Sequence, residues 1–158
     1  MLNETNEAIL WITRLLERLD IPFQITGGLA AIAYGSRRKL YDIDLDIPDA
    51  YFGKLQTEIQ KHLVFGPKWF EDENMSLFLM TAKFSSQLID IGGGSGFNMF
   101  NQQTSRWEAC PTDFSIVEWR LVGGLRLPIM PLKNLIFYKK TLGREVDHLD
   151  LEQITGIV

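Results

Sequence analysis

The chain has 158 residues and is 46% hydrophobic, with ten Phe and four Trp, enough length and apolar content for one ordinary domain with a packed core. A formal charge of −4 and the lack of any long basic run exclude a protein that holds nucleic acid mainly through its phosphates. Cys110 is the only cysteine, which excludes an intrachain disulfide and a thiolate metal site built by one chain; no apolar run approaches the roughly 20 residues that cross a bilayer, so the expectation is a soluble cytoplasmic protein.

From Glu4 to Leu19, the residues Ile9, Ile12, Leu15, Leu16 and Leu19 recur at three- and four-residue steps among charged neighbours, the pattern of an amphipathic helix. Asp20-Ile21-Pro22 stops it, and Phe23 to Thr26 reads as a short buried strand that runs into a turn at Gly27-Gly28. Leu29 to Tyr34 is helix-compatible, with Gly35 placed to end it as a left-handed cap. Leu40 to Ile47 alternates apolar and acidic residues with period two and predicts a strand. Asp49 to Val64 predicts a surface helix with Phe52, Leu55, Ile59 and Leu63 as its buried stripe. Met75 to Phe84 and Leu88 to Ile91 are strand-like, the second ending at Gly92-Gly93-Gly94-Ser95-Gly96. Ser115 to Val122 and Leu125 to Met130 flank Gly123-Gly124 and predict a hairpin. Helices over Pro131 to Lys140 and Arg144 to Ile154 follow. No repeat, low-complexity segment or linker divides residues 1–158, so the chain reads as a single domain of the α/β (α+β) class, a mixed β-sheet with helices packed on it.

The segment "YDIDLDI" carries the sharpest chemical signal. On a strand Asp42, Asp44 and Asp46 share one face and Ile43, Leu45 and Ile47 the other. Neighbouring carboxylates on that face lie about 6 to 7 Å apart and repel by about 2 to 3 kcal/mol at an effective dielectric near 20. A divalent cation removes that cost, and carboxylate oxygens are the ligands magnesium prefers. The competing reading is an edge strand whose charges deter aggregation. Gly27-Gly28 just upstream offers main-chain N–H groups to an anion, with tight packing as its alternative. A metal strand and a phosphate cradle in one segment together imply a nucleoside triphosphate with its magnesium.

Gly-Gly, a short helix and Asp-x-Asp in an apolar strand, here "GGLAAIAYG" and "YDIDLDI", resemble the nucleotidyltransferase fold of the DNA polymerase beta superfamily. The nearest likeness is to small bacterial members, the aminoglycoside nucleotidyltransferases and the AbiEii-type toxin group. The resemblance implies that Asp42 and Asp44 are a magnesium-binding pair, that Asp90 in "QLIDIGG" is the third carboxylate, acting at a second metal position or as base, and that Asp46 is extra; the competing reading of Asp90 is an Asp that caps a loop. It implies ATP or another triphosphate as substrate, a hydroxyl acceptor, and pyrophosphate as leaving group held by Gly27 and Gly28. The tail "LKNLIFYKKTLGREVDHLDLEQI" is similar to the family's ending, which makes Lys139 either a phosphate contact or part of a solvated helix face, and Arg144, Asp147 and Asp150 a local ion-pair network that fixes the tail. Arg38, with Arg37 and Lys39, stands before the metal strand and either touches phosphate or is solvated. Two departures matter: many relatives have Gly-Ser where this chain has Gly-Gly, and the longer helical part that shapes the acceptor site in aminoglycoside-modifying relatives has no equal here. The acceptor pocket is then either open or completed by a second subunit of a homodimer. The alternative function is a non-catalytic relative that binds nucleotide or a partner, as an antitoxin or regulatory subunit would.

Other motifs carry less. The run Gly92 to Gly96 does not fit G-x-G-x-x-G and predicts a mobile loop that closes over substrate. His62 and His148 have no zinc spacing, and Cys110 and the Trp residues read as packing groups.

Overall fold

A computed structural model describes residues 3–155. The first apolar stripe becomes α1 (Asn3–Arg18), with Ala8, Ile9, Ile12 and Leu16 fully buried. After Pro22 comes β1 (Gln24–Thr26), and α2 (Gly27–Ala33) starts on the very next residue, so the expected glycine turn is the helix's own first turn. Gly27 makes that junction possible: its φ of 58° lies in the left-handed region, where a Cβ is strained. In β2 (Asp42–Ile47) the alternation is as read from the sequence, Ile43, Leu45 and Ile47 buried and the three aspartates half-buried on the opposite face.

The helix predicted over Asp49 to Val64 is shorter. A 3₁₀ turn (Asp49–Tyr51) leads into α3 (Phe52–Ile59), a second such turn spans Gln60–His62, and from Leu63 the chain is extended in β3 (Leu63–Glu71). Phe52, Leu55 and Ile59 are buried as expected, whereas Leu63 pairs with Ala82 across two strands. The physical reason is local: Val64 and Phe65 favour extended backbone, and Gly66-Pro67 cannot continue a helix.

β4 (Met75–Phe84) falls where predicted, β5 (Gln87–Gly93) takes in the first two residues of the glycine run, and β6 (Asn98–Asn101) and β7 (Arg106–Ala109) are additional. β8 (Glu118–Val122) and β9 (Leu125–Ile129) form the expected hairpin, with Gly123 and Gly124 at φ 57° and 81°, as its two-residue turn requires. The chain ends in α4 (Leu132–Leu142) and α5 (Glu145–Thr155). The sheet order is β7-β6-β4-β5-β2-β1-β9-β8, with β3 paired to the free side of β4. β2 runs parallel to β5 and β1 to β9, while the other pairings are antiparallel, so the sheet is mixed as expected.

One sheet face packs Ile43, Leu45, Met80, Ile89 and Ile91 into a single core with α1 and α3. The other face carries the aspartates. Gly94, Ser95 and Gly96 do not form the free flap expected of them: Gly94 N–H donates to Ile47 O at 2.9 Å, Thr112 N–H to Gly94 O at 2.9 Å, and Ser95 N–H to Asp49 Oδ1 at 3.2 Å. No helix among the described residues is long and apolar enough to cross a membrane.

Leu45 is 1% exposed directly behind the aspartate row. Leu45→Ala is expected to lose about 2 to 5 kcal/mol in urea unfolding, against a change within about 0.5 kcal/mol for Leu121→Ala, whose side chain is exposed.

Candidate active site

Strand register builds the acidic half of the site. In the parallel β2–β5 pair Asp44 stands opposite Asp90, and the period-two pleat brings Asp42 to the same face. One carboxylate oxygen from each of the three lies within 4.8 Å of the others, so the three sequence-predicted acids converge. On the far side of β5, Thr81 faces Asp90 and its hydroxyl donates to Asp90 Oδ1 at 2.6 Å, which fixes that carboxylate. Asp46 stays apart from this group and accepts the Thr112 hydroxyl at 2.7 Å. Asp44 lies so close to the first residue of α2 that a Cβ on Gly27 would collide with its Oδ2.

Crowding has the expected electrostatic consequence. Burial, then Asp42, Asp90 and Asp46, push the Asp44 carboxyl well above the usual carboxylate range, with Lys139 acting the other way. Asp90 is raised by burial and by Asp42, against the lowering hydrogen bond from Thr81. Asp46 is pushed up to about 7, chiefly by burial, with Thr112 opposing and Asp49 adding. A set of hard oxygen donors held together against their own repulsion fits a divalent cation of the magnesium type.

The basic half is a chain of buried ion pairs. Lys139 is 1% exposed, so it is not on a solvated helix face: its Nζ lies 2.8 Å from Asp150 Oδ2 and 3.4 Å from Asp147 Oδ1. Arg38 Nε donates to both oxygens of Asp150, at 2.8 and 3.0 Å, and Ser36 Oγ donates to Oδ1 at 2.9 Å. Arg144 Nε donates to Asp147 Oδ2 at 2.8 Å. The tail network expected for Arg144, Asp147 and Asp150 therefore reaches beyond the tail, joining α4 and α5 to the segment before β2. Three cations face two carboxylates, which leaves one positive charge in excess. Burial alone would raise Asp150, yet the hydrogen bonds from Lys139 and Arg38 hold its carboxyl below the usual range. The Arg38 guanidinium also lies over Gly28, where a Cβ would run into it.

Between the two halves opens a cavity of about 950 Å³, within the size range of small-molecule sites. Gly27, Gly28, Arg38 and the aspartates line it, and Phe70, Leu77, Leu79 and Met99 make an apolar wall on the β4 side. Thr81, Thr112, Tyr138 and this wall were not legible as site residues. Alternation in Met75 to Phe84 puts Thr81, Leu79 and Leu77 on one face, but only the register of β4 against β5 brings that face to Asp90.

Neither a protein-family pattern nor a curated protein sequence matches the chain. Solved structures do. A Thermotoga maritima protein assigned provisionally to the nucleotidyltransferases superposes with a TM-score of 0.69 at 16% identity, covering 96% of this chain and 93% of the other. The lincosamide antibiotic adenylyltransferase LnuA, lincomycin-bound, gives 0.65 at 14% identity over 96% of this chain and 97% of its own. ANT(2'')-Ia in complex with adenylyl-2''-tobramycin gives 0.56 at 19% identity over 92% and 86%. The fold is thus the nucleotidyltransferase fold that the Gly-Gly and Asp-x-Asp segments resemble.

Removing Asp150 would leave Lys139 and Arg38 without their shared partner, and Asp150→Ala is expected to lose about 3 to 5 kcal/mol in urea unfolding. The raised carboxyl of Asp46 makes a second prediction. An unfolded Asp ionises near 3.8, so from there to about 7 the folded state holds a proton that the unfolded state has lost, and Asp46 lowers stability as pH rises through that window. Asn at this position can still accept from Thr112; Asp46→Asn should therefore gain stability relative to wild type from pH 4 to 7 and level off above, as read by urea unfolding in metal-free buffer.

Proposed function

We propose that this protein is a magnesium-dependent nucleotidyltransferase that moves a nucleoside monophosphate from a triphosphate, ATP among them, to an acceptor hydroxyl and releases pyrophosphate. The observation that carries this reading is the convergence of Asp42, Asp44 and Asp90 beside the Gly27-Gly28 start of α2, in a fold shared with adenylyltransferases. Asp42, Asp44 and Asp90 would hold the metal; when bound, magnesium neutralises the triphosphate and withdraws charge from the phosphorus under attack.

Strand order supports a direction for the reaction. Across β4-β5-β2-β1, the Thr81–Asp90 pair lies on one side of Asp42 and Asp44, and Gly27 and Gly28 on the other. In-line displacement needs the entering and leaving oxygens on opposite sides of the phosphorus. The acceptor hydroxyl accordingly enters from the β4 side and pyrophosphate leaves over α2. Asp90, fixed by Thr81, takes the hydroxyl proton as the new oxygen–phosphorus bond forms. The bond from the α-phosphorus to the bridging oxygen breaks. The amides of Gly27 and Gly28 and the Asp150-held Arg38 receive the charge that develops on pyrophosphate. Lys139, fully engaged with Asp147 and Asp150, acts through its charge on Asp44 rather than by contact.

The test is pyrophosphate release from each of the four nucleoside triphosphates with magnesium across a panel of hydroxyl compounds that includes tobramycin and lincomycin. Asp44→Asn should keep the fold and lower turnover by about 10²- to 10³-fold or more. Equal turnover in both proteins would sink the assignment, and magnesium-dependent nucleotide binding that never yields product would replace it with the non-catalytic reading.

A further inference from the structure

Three strands border the sheet, β3, β7 and β8, each with one side unpaired. An unpaired strand offers its N–H and C=O groups to any other strand, and proteins blunt such edges with proline, bulges, shortness or charge. β3 is blunted by Pro67 and by two register shifts against β4. β7 has four residues, and its Trp107 already packs edge-on against Phe100, with only Ser105 and Ala109 beside it on that face. β8 pairs with β9 in regular register over all five of its residues and holds no proline. Its one guard is a pair of charges, Glu118 and Arg120, and these are of opposite sign.

The two-residue turn makes Val122 and Leu125 a hydrogen-bonded pair, so alternation turns the N–H and C=O of Trp119 and Leu121 away from β9. Pro128, which stands opposite Trp119 and has no N–H to give, agrees with that phase. No described residue takes up these outward groups. The side chains of Trp119 and Leu121 share one face and are 48% and 72% exposed, with the Arg126 guanidinium 4.7 Å over the Trp119 ring. Glu118 and Arg120 share the other face, 2.9 Å apart and with side chains 43% and 40% exposed.

We propose that β8 is a homodimer interface at which two copies of this chain pair antiparallel, β8 on β8, about a twofold axis through Trp119. Charge selects the register. With the axis at Trp119, the outward groups of the two Trp119 residues bond each other, those of Leu121 bond Val117 of the second copy, and Glu118 stands opposite the second copy's Arg120 twice over. These cross pairs join the Glu118–Arg120 pair within each copy into a ring of alternating sign. With the axis at Arg120 two arginines face each other, and with the axis at Leu121 both charges lose their partners. Opposite charges support a strand pair, whereas like charges directly opposite destabilise it. The inference is independent of the catalytic reading. β1 and β9 separate β8 from β2, so the second copy's strand lies four strand spacings, about 19 Å, from the aspartates, and each copy keeps its own cavity.

Sedimentation velocity of the full chain over a concentration series tests the interface, with circular dichroism as the check on folding. Wild type should reach twice the 18.1 kDa of one copy. Leu121→Pro removes an outward N–H and no bond to β9; with its hydrogen bond lost on both sides of the axis, the dissociation constant should rise about 10- to 100-fold while the spectrum stays unchanged. Glu118→Lys and Arg120→Glu should each sediment as one copy, because each sets like charges opposite. An equal mixture of the two should recover the dimer, since every opposed pair is then of opposite sign, a rescue that misfolded chains cannot give. Trp107→Lys on the β7 edge should sediment as wild type. Wild type that stays monomeric at every concentration overturns the proposal, as does a dimer that Leu121→Pro leaves intact, one lost with Trp107→Lys, or a mixture of the folded charge variants that stays monomeric. If either charge variant fails to fold, the Leu121→Pro result decides.

Discussion

A strand cannot bury every second residue without projecting the residues between, and this constraint holds the site together. Ile43, Leu45 and Ile47 are essentially removed from solvent, each worth about 1.5 to 3 kcal/mol relative to exposure. Together they outweigh the roughly 2 to 3 kcal/mol of repulsion between neighbouring aspartates on the opposite face. The like charges are therefore assembled by the core, not by an ion. What the core cannot do is relieve them, and the raised carboxyls of Asp44 and Asp90 record the residual strain as a readiness to take up positive charge, whether a proton or a metal.

Gly27 and Gly28 fix how far apart the two charged halves lie. A Cβ on the first would strike Asp44, and a Cβ on the second would strike Arg38. Two consecutive residues thus each lie against one charged side chain, with Cα atoms about 3.8 Å apart. Buried ion pairs give little net stability, because desolvation cancels most of their attraction. The run from Arg38 through Asp150, Lys139 and Asp147 to Arg144 is better understood as a geometric device. It keeps one excess positive charge beside the acids while tying three separate segments in place, at the cost of making Asp150 indispensable to two cations at once.

How much of this is legible in the sequence follows from the range of each signal. The aspartate strand β2, β4 and the Gly123-Gly124 hairpin are written in nearest-neighbour periodicity and stand where the alternation puts them. Asp90 is singled out only by the family resemblance, since an Asp in a short apolar strand before a glycine run also reads as a loop cap. β3, β6 and β7 lack such marks: β3 follows α3 with a 3₁₀ turn in place of a loop, and β6 and β7 are four residues each, shorter than a reliable period-two pattern. Lys139 shows the sharper limit. On α4 it reads as one of two adjacent lysines near the helix end, and nothing local distinguishes the buried one from Lys140; the difference is made by Asp150, which meets it only when α5 folds back.

The register that brings Thr81 to Asp90 brings more than a hydrogen bond. Met75, Leu77 and Leu79 lie on the same face of β4, Met99 pairs opposite Met75 on β6, and Phe70 pairs opposite Leu77 on β3. The β4 side of Asp90 is consequently bordered by five apolar side chains from three strands. On the proposed reading this wall has two effects that cannot be separated. It withholds solvation from Asp90, which raises the carboxyl, and it would withhold water from the phosphorus, where water would compete with the acceptor and waste the triphosphate as hydrolysis. On that reading the strands that periodicity least reveals, β3 and β6, are the ones that would keep the proposed chemistry a transfer.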